Sequence, residues 1–216
     1  MALIYSTSIV KIKDSEFKIR HFLDRNQFPT VTEQTDIGAL VWGCDVPESL
    51  WPLVGIIWPS GVVLAEAVAR MELQNKRILE IGCGLALASL VAHRGGHDVT
   101  ASDYNPFADN LLKENALLNG LSPLKFLTLS FQDPFQGDPY DLIVASDVMY
   151  EPGCGAYLLN FLRVTLKKGG EAIFVDPGRA HVGKFESELS RNGFSCQSER
   201  PVKGEKIRLL RIHHAS

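Results

Sequence analysis

Arg77-Ile78-Leu79-Glu80-Ile81-Gly82-Cys83-Gly84 (RILEIGCG, residues 77–84) is the stretch from which the rest of the chain can be read. A short apolar strand runs straight into a Gly-x-Gly turn. Residues 85–94 follow, rich in Ala and Leu and closed by Gly95-Gly96, which predicts a helix. A glycine turn at a helix N-terminus lets a ligand approach the backbone without meeting a Cβ. A nicotinamide dinucleotide fingerprint needs a third glycine three residues after the second, and that position is Leu87. Glu80, two residues before the first glycine, would repel a pyrophosphate and suits a cationic ligand.

The same rhythm continues downstream. Residues 98–102 form a strand ending in Asp103, and Asn105-Pro106 opens a helix that Asn119-Gly120 closes. Residues 125–129 form a strand. Tyr140–Ser146 is a nearly all-apolar strand ending in Asp147, as expected of a central parallel strand buried on both faces. Then come a helix over 156–166, a turn at Gly169-Gly170, a strand over 171–175 ending in Asp176, and a helix over 182–192. Strands over 194–200 and 206–212 close the chain without a helix between them. Upstream, residues 62–71 form an amphipathic helix with Val63, Ala67 and Val68 toward the core. Residues 3–13 pair with a strand through Phe17, Ile19 and His21 in a hairpin turning at Asp14-Ser15. The expected fold is α/β: a Rossmann-like, seven-stranded, mostly parallel sheet with helices on both faces and an antiparallel C-terminal hairpin. An N-terminal β-hairpin and irregular extension (residues 1–57) is expected to pack on the core (residues 58–216) as one structural domain.

Composition sets the outer limits. With 216 residues, 45% of them hydrophobic, the chain can bury a full single-domain core. No apolar run approaches the roughly 20 residues of a membrane span, and the N-terminus has no signal-peptide pattern. A net charge of −3 lacks the basic footprint of a duplex-binding domain. Cys44, Cys83, Cys154 and Cys196 have neither CxxC nor zinc spacing and read as free thiols, so a cytoplasmic location is expected.

Chemistry gathers at the strand ends. Asp103 lies 19 residues past Gly84, where a carboxylate on an adjacent parallel strand can take both hydroxyls of a ribose. Asp147-Val148-Met149-Tyr150 and Asp176-Pro177-Gly178-Arg179 end the next two strands. Open α/β sheets bind ligands at the carboxyl ends of their strands, so Glu80, Asp103, Asp147 and Asp176 are expected to converge on one rim.

EIGCG, Asp103, YDLIVASD and the C-terminal hairpin resemble a class I, seven-β-strand S-adenosylmethionine (SAM)-dependent methyltransferase. Trp58-Pro59-Ser60-Gly61, the DxxY motif Asp147–Tyr150 and Asp176-Pro177-Gly178-Arg179 are similar to methyltransferase family 16. That group includes DxxY lysine methyltransferases, nicotinamide N-methyltransferase-like bacterial relatives, and a subgroup acting on the electron-transfer flavoprotein β subunit that also carries DPGR. The resemblance covers about residues 55–212.

It implies SAM as cofactor, S-adenosylhomocysteine as product, and no metal. Glu80 with Gly82, Cys83 and Gly84 would hold the methionine portion, and Asp103 the ribose. Tyr104 and Ala145 would be further cofactor contacts, and Trp58 would close the pocket from the N-terminal side. Where family members have an acid followed by tryptophan beside the adenine, this chain has Ser130-Phe131; the stacking face is kept and Asp133 stands near. Asp147 and Tyr150 would be catalytic, with Asp176 and Arg179 on the substrate. No residue stands out as a general base; at pH 7 only about 0.04% of a lysine amine is neutral, so Asp147 is expected to bind and aim the amine while the proton leaves through water. The acceptor implied is a protein lysine. A small amine, nicotinamide-like, is the alternative, and an idle SAM-binding module a third. Neither nucleic acid nor a membrane is expected as a partner.

Overall fold

The computed structural model describes residues 4–23 and 53–215. The sheet core begins with β3 (Arg77–Ile81), followed by α2 (Leu87–Arg94), β4 (Asp98–Asp103), α3 (Phe107–Leu118), β5 (Lys125–Thr128) and β6 (Tyr140–Ser146). It continues with α4 (Cys154–Thr165), β7 (Leu166–Asp176), α5 (His181–Arg191), β8 (Phe194–Glu199) and β9 (Arg208–His214). Before it stand β1 (Tyr5–Ile12), β2 (Ser15–Phe22) and α1 (Pro59–Val68). The seven strands lie in the order β5-β4-β3-β6-β7-β9-β8. β3 through β7 are parallel, and β9 runs antiparallel between β7 and β8. Chain order reverses between β3 and β6, so the crevice of an open α/β sheet falls at the carboxyl ends of those two strands.

β6 shows why an unbroken apolar run belongs at the centre. Successive side chains point to opposite faces. Leu142 and Val144 join the core that contains Leu64, Ala65 and Val68 of α1, Leu90 of α2 and Leu111 of α3. Ile143 and Ala145 join the opposite core, with Leu158 and Leu162 of α4 and Phe185 and Leu189 of α5. A polar residue at any of these four positions would be buried whichever way it faced.

α1 starts at Pro59, three residues earlier than read; Val68 is fully buried with Leu64 and Ala65, and Val63 and Ala67 pack against the same core while partly exposed. One expectation is corrected. Gly169 and Gly170 do not form a turn ahead of a strand. They lie within β7, where pairing jumps from Tyr140–Leu166 to Leu142–Glu171 and four residues bulge out opposite one. The residues numbered 24–52, including Cys44, Trp42 and Trp51, lie outside the described residues.

The N-terminal hairpin is a separate two-stranded sheet whose Phe17, Ile19 and Phe22 are buried against the body. α3 completes the outer edge of β2 with side chains. Asn115 Oδ1 accepts from Arg20 N at 2.7 Å and its Nδ2 donates to Arg20 O at 3.2 Å. One turn later, Asn119 does the same for Lys18 N and O at 2.9 and 2.8 Å. Two amides spaced i, i+4 on one helix thereby stand in for a neighbouring strand and satisfy an edge that would otherwise be open. Asn115→Ala leaves a buried N–H and C=O unpaired, so a loss of about 2 kcal/mol in urea unfolding is expected. A loss below about 0.5 kcal/mol would show that the amide ladder does not hold the hairpin.

Candidate active site

The carboxyl ends of β3, β4 and β6 open into a cavity of about 490 Å³, within the range of small-molecule sites. Its floor is the turn after β3. Gly82 and Gly84 have φ of +60° and +51°. A Cβ on Gly82 would lie 2.8 Å from Val148 Cγ1, and one on Gly84 would lie 3.2 Å from Val54 O. Both positions therefore require glycine on conformational and steric grounds.

Carboxylates brace this turn. Asp103 Oδ2 accepts from Gly84 N and its Oδ1 from Asn105 N, both at 2.8 Å. Glu80 Oε2 accepts from Ser89 N at 2.8 Å and Ser89 Oγ at 2.5 Å. Ser89 is the third residue of α2, and the helix has no cap of its own because Ala86, in the left-handed region, offers no polar side chain. Glu80 thus reaches across from β3 to supply the missing acceptor at the positive end of α2. Burial pushes the Glu80 carboxyl up to about 7, opposed by the Ser89 hydrogen bonds and reinforced by Asp103. Burial also raises Asp103, against the N–H groups of Gly84 and Asn105. Cys83, between the glycines, is held well above its ordinary range by burial and the same two acids, so it is a protonated, inert thiol.

Asp147, with φ of +64°, follows β6 beside this turn: Ile81 pairs with Ala145, and Val148 is the side chain a Cβ on Gly82 would meet. The Asp147 N–H donates to Val175 O at 2.9 Å, extending the β6–β7 pairing by one residue. Ser60 Oγ of α1 donates to Asp147 Oδ2 at 3.3 Å, and the Arg179 guanidinium pairs with Oδ1. Tyr150 also lines the cavity, and burial with nearby Cys154 and Glu151 pushes its phenol up to about 12. It is a neutral hydroxyl at physiological pH and cannot serve as a phenolate base.

Trp58, Glu80, Gly82, Cys83, Gly84, Asp103, Tyr104, Ser130, Phe131, Asp147, Tyr150 and Arg179 all line the cavity, as does Asp133. Two expected contacts do not. Ala145 is fully buried in the core shared with α4 and α5; the lining residue at that strand end is Ser146. Asp176 is also fully buried, and its Oδ1 accepts from Gly178 N and Arg179 N at 2.7 Å each. It shapes the loop that carries Arg179 instead of facing a substrate. Ser130 Oγ accepts from Gln132 N at 3.1 Å, which makes it a turn residue as well as a wall. Trp58 Nε1 donates to Leu53 O at 3.1 Å, leaving the ring as the surface presented.

Ser89 went unread in the sequence, and Ser60 and Ile19 were read only as part of a motif and of a hairpin strand, not as site residues. Ile19 brings the N-terminal hairpin to the cavity wall. Ser60 lies 87 residues from its partner Asp147, and nothing local marks that contact. Glu80, Asp103, Asp133, Asp147 and Glu151 face Arg179 as the one basic side chain among the described lining residues, so the cavity favours cations.

Comparison with known proteins agrees with this geometry. The chain is 33% identical over 143 residues to the electron transfer flavoprotein beta subunit lysine methyltransferase of Xenopus laevis, covering 61% of this chain and 56% of that one. It is 35% identical over 104 residues to the histone-arginine methyltransferase METTL23 of Homo sapiens, covering 44% and 55%. The chain spans about half the length of the curated relatives it matches. In fold it is similar to the ribosomal protein L11 methylase of Lactobacillus delbrueckii subsp. bulgaricus, with a TM-score of 0.62, 23% identity, and coverage of 74% of this chain and 81% of that one. The model of the lysine methyltransferase family matches residues 31–182, well over half of the sequence, and the chain therefore belongs to that family, methyltransferase family 16.

Proposed function

We propose that this chain is a SAM-dependent methyltransferase whose acceptor is a lysine side chain of a protein. The observation that carries the reading is one cavity lined both by a glycine turn flanked by Glu80 and Asp103 and by the DxxY pair Asp147 and Tyr150. The residues present fit the cofactor. Gly82 and Gly84 form a cradle that a Cβ would obstruct, and the two acids beside it suit a cationic amino acid. Asp103 accepts from the N–H groups of Gly84, Asn105 and Tyr104 and keeps an acceptor position for a ribose hydroxyl. The faces of Trp58 and Phe131 offer stacking surface.

When bound, SAM supplies an electrophilic methyl group carried on a sulfonium. The chain's own task is positioning, because in-line displacement depends on holding the reacting atoms near 3 Å and aligned. Asp147, oriented by Ser60, accepts a hydrogen bond from the acceptor amine and turns its lone pair toward the cofactor. Tyr150, a neutral phenol, forms the wall beside that amine.

The deciding experiment incubates the purified protein with radiolabelled SAM and a protein extract, then hydrolyses the labelled protein to amino acids. Methyllysine is expected. Methylarginine or methylhistidine would replace the lysine assignment, label confined to small molecules would overturn the protein acceptor, and absence of label would point to an idle module. Asp103→Asn turns a donor toward Gly84 N or Asn105 N, so calorimetry is expected to show SAM binding weakened more than tenfold. Unchanged affinity would remove Asp103 from the cofactor site.

A further inference from the structure

Arg179 is positioned more tightly than a surface arginine requires. Asp176, fully buried, accepts from the backbone N–H groups of Gly178 and Arg179, and its Oδ2 lies 3.5 Å from Arg179 Nη1. The same Nη1 reaches across to pair with Asp147 Oδ1. One guanidinium nitrogen is thus shared between two carboxylates on neighbouring strand ends, and one of these is the group expected to receive the acceptor. The remaining oxygen of Asp147 is met by Ser60 Oγ, a neutral donor. Asp147 therefore presents hydrogen-bonding capacity with its negative charge partly answered.

We propose that Arg179 is a positioning and specificity-determining residue whose guanidinium, anchored by buried Asp176, offsets part of the charge of Asp147 and so eases entry of the acceptor lysine as the neutral amine. A free Asp147 carboxylate would hold the ammonium form, which has no lone pair to react. Beside Arg179 the ammonium is held less tightly. It gives one proton to water before seating, and the neutral amine donates an N–H to Asp147. The new N–C bond forms with that lone pair as the methyl leaves the cofactor sulfur with the bonding electrons remaining on sulfur. The methylated product carries the positive charge, and its repulsion from Arg179 favours departure.

This inference rests on the lysine reading, yet its test does not use methyl transfer. Butylammonium and butan-1-ol mimic the charged and neutral ends of a lysine side chain. Their binding is measured by nuclear magnetic resonance at pH 7, with and without S-adenosylhomocysteine, to the wild-type protein, Arg179→Gln and Arg179→Lys. Wild type is expected to bind butylammonium less than tenfold more tightly than the alcohol. Arg179→Gln is expected to gain on the order of tenfold for butylammonium alone, a gain that mere loosening of the loop would not produce. Arg179→Lys, which keeps the charge, is expected to behave as wild type. A wild-type preference of tenfold or more for butylammonium, or no gain in a folded Arg179→Gln, would overturn the proposal. Should Arg179→Gln not fold, the wild-type comparison decides. Failure of the lysine reading shows instead as absent methyllysine in the transfer assay.

Discussion

Asp147→Asn is expected to lower methyl transfer by about a hundredfold while leaving SAM affinity within about twofold of wild type. The substitution keeps the shape of the side chain, and asparagine tolerates the left-handed backbone at this position, where φ is +64°. Alanine would add strain and blur the result. What changes is charge. A hydrogen bond to a carboxylate contributes about 1.5–3 kcal/mol, of which the upper part corresponds to the hundredfold expected. Arg179 would then be left paired with Asp176 alone, and no carboxylate would remain to aim the amine. Asp147 takes Ser60 and Arg179 as partners, whereas Gly84 N is held by Asp103, so the cofactor should bind nearly as before. Single-turnover transfer of radiolabel, paired with calorimetry of SAM, separates the two readouts. Transfer within threefold of wild type would remove Asp147 from the reaction; a parallel fall in cofactor affinity would make it a cofactor residue instead.

The strands were legible because their signals are local. The alternation along β6 sends Leu142 and Val144 one way and Ile143 and Ala145 the other, and only a doubly covered strand needs apolar residues at all four. Gly82, Gly84 and Asp103 were legible for a related reason: a turn and a strand end are fixed by a few neighbouring residues, and parallel pairing sets Ile81 beside Ser102. The same strand-end logic placed Asp176 at the cavity too readily, and the family resemblance did so for Ala145. Position at a strand end fixes neighbourhood, whereas exposure of a given side chain depends on what covers it. Asp176 is covered by the loop whose N–H groups it binds. Ser60, Asn115 and Asn119 were illegible because their partners lie 87, 95 and 101 residues away, and hydrogen bonds at such separation leave no period in the sequence. The glycines of the β7 bulge look identical to those of a turn, since both need backbone freedom; only the partner strand distinguishes them.

Glu80→Gln is expected to remove most of the pH dependence that this residue imposes on the unliganded protein. In the folded chain the Glu80 carboxyl titrates near 7, against an ordinary value of 4.5. Between those two values the native state keeps a proton that the unfolded chain has released. The native state then binds more protons, so stability falls as pH rises through this window, by about 3 kcal/mol if the full difference is expressed. Asp103, also raised by burial, acts in the same direction. Glutamine stays neutral while its oxygen can still accept from Ser89 N and Oγ, so the α2 terminus remains capped. Urea unfolding at pH 5 and pH 8 should therefore show wild type losing about 3 kcal/mol and the variant losing less than about half as much. Equal losses would mean that Glu80 does not carry the buried charge. Cofactor affinity should move the other way. Ionised Glu80 suits a cationic ligand, so wild-type SAM affinity is expected to rise from pH 6 to pH 8, while Glu80→Gln binds weakly and with a flatter profile. A carboxylate that costs the empty fold stability at pH 8 is thus the same one that gives the cavity its preference for a cation. This kind of opposition is expected where a fold is shaped by its site and not by packing alone.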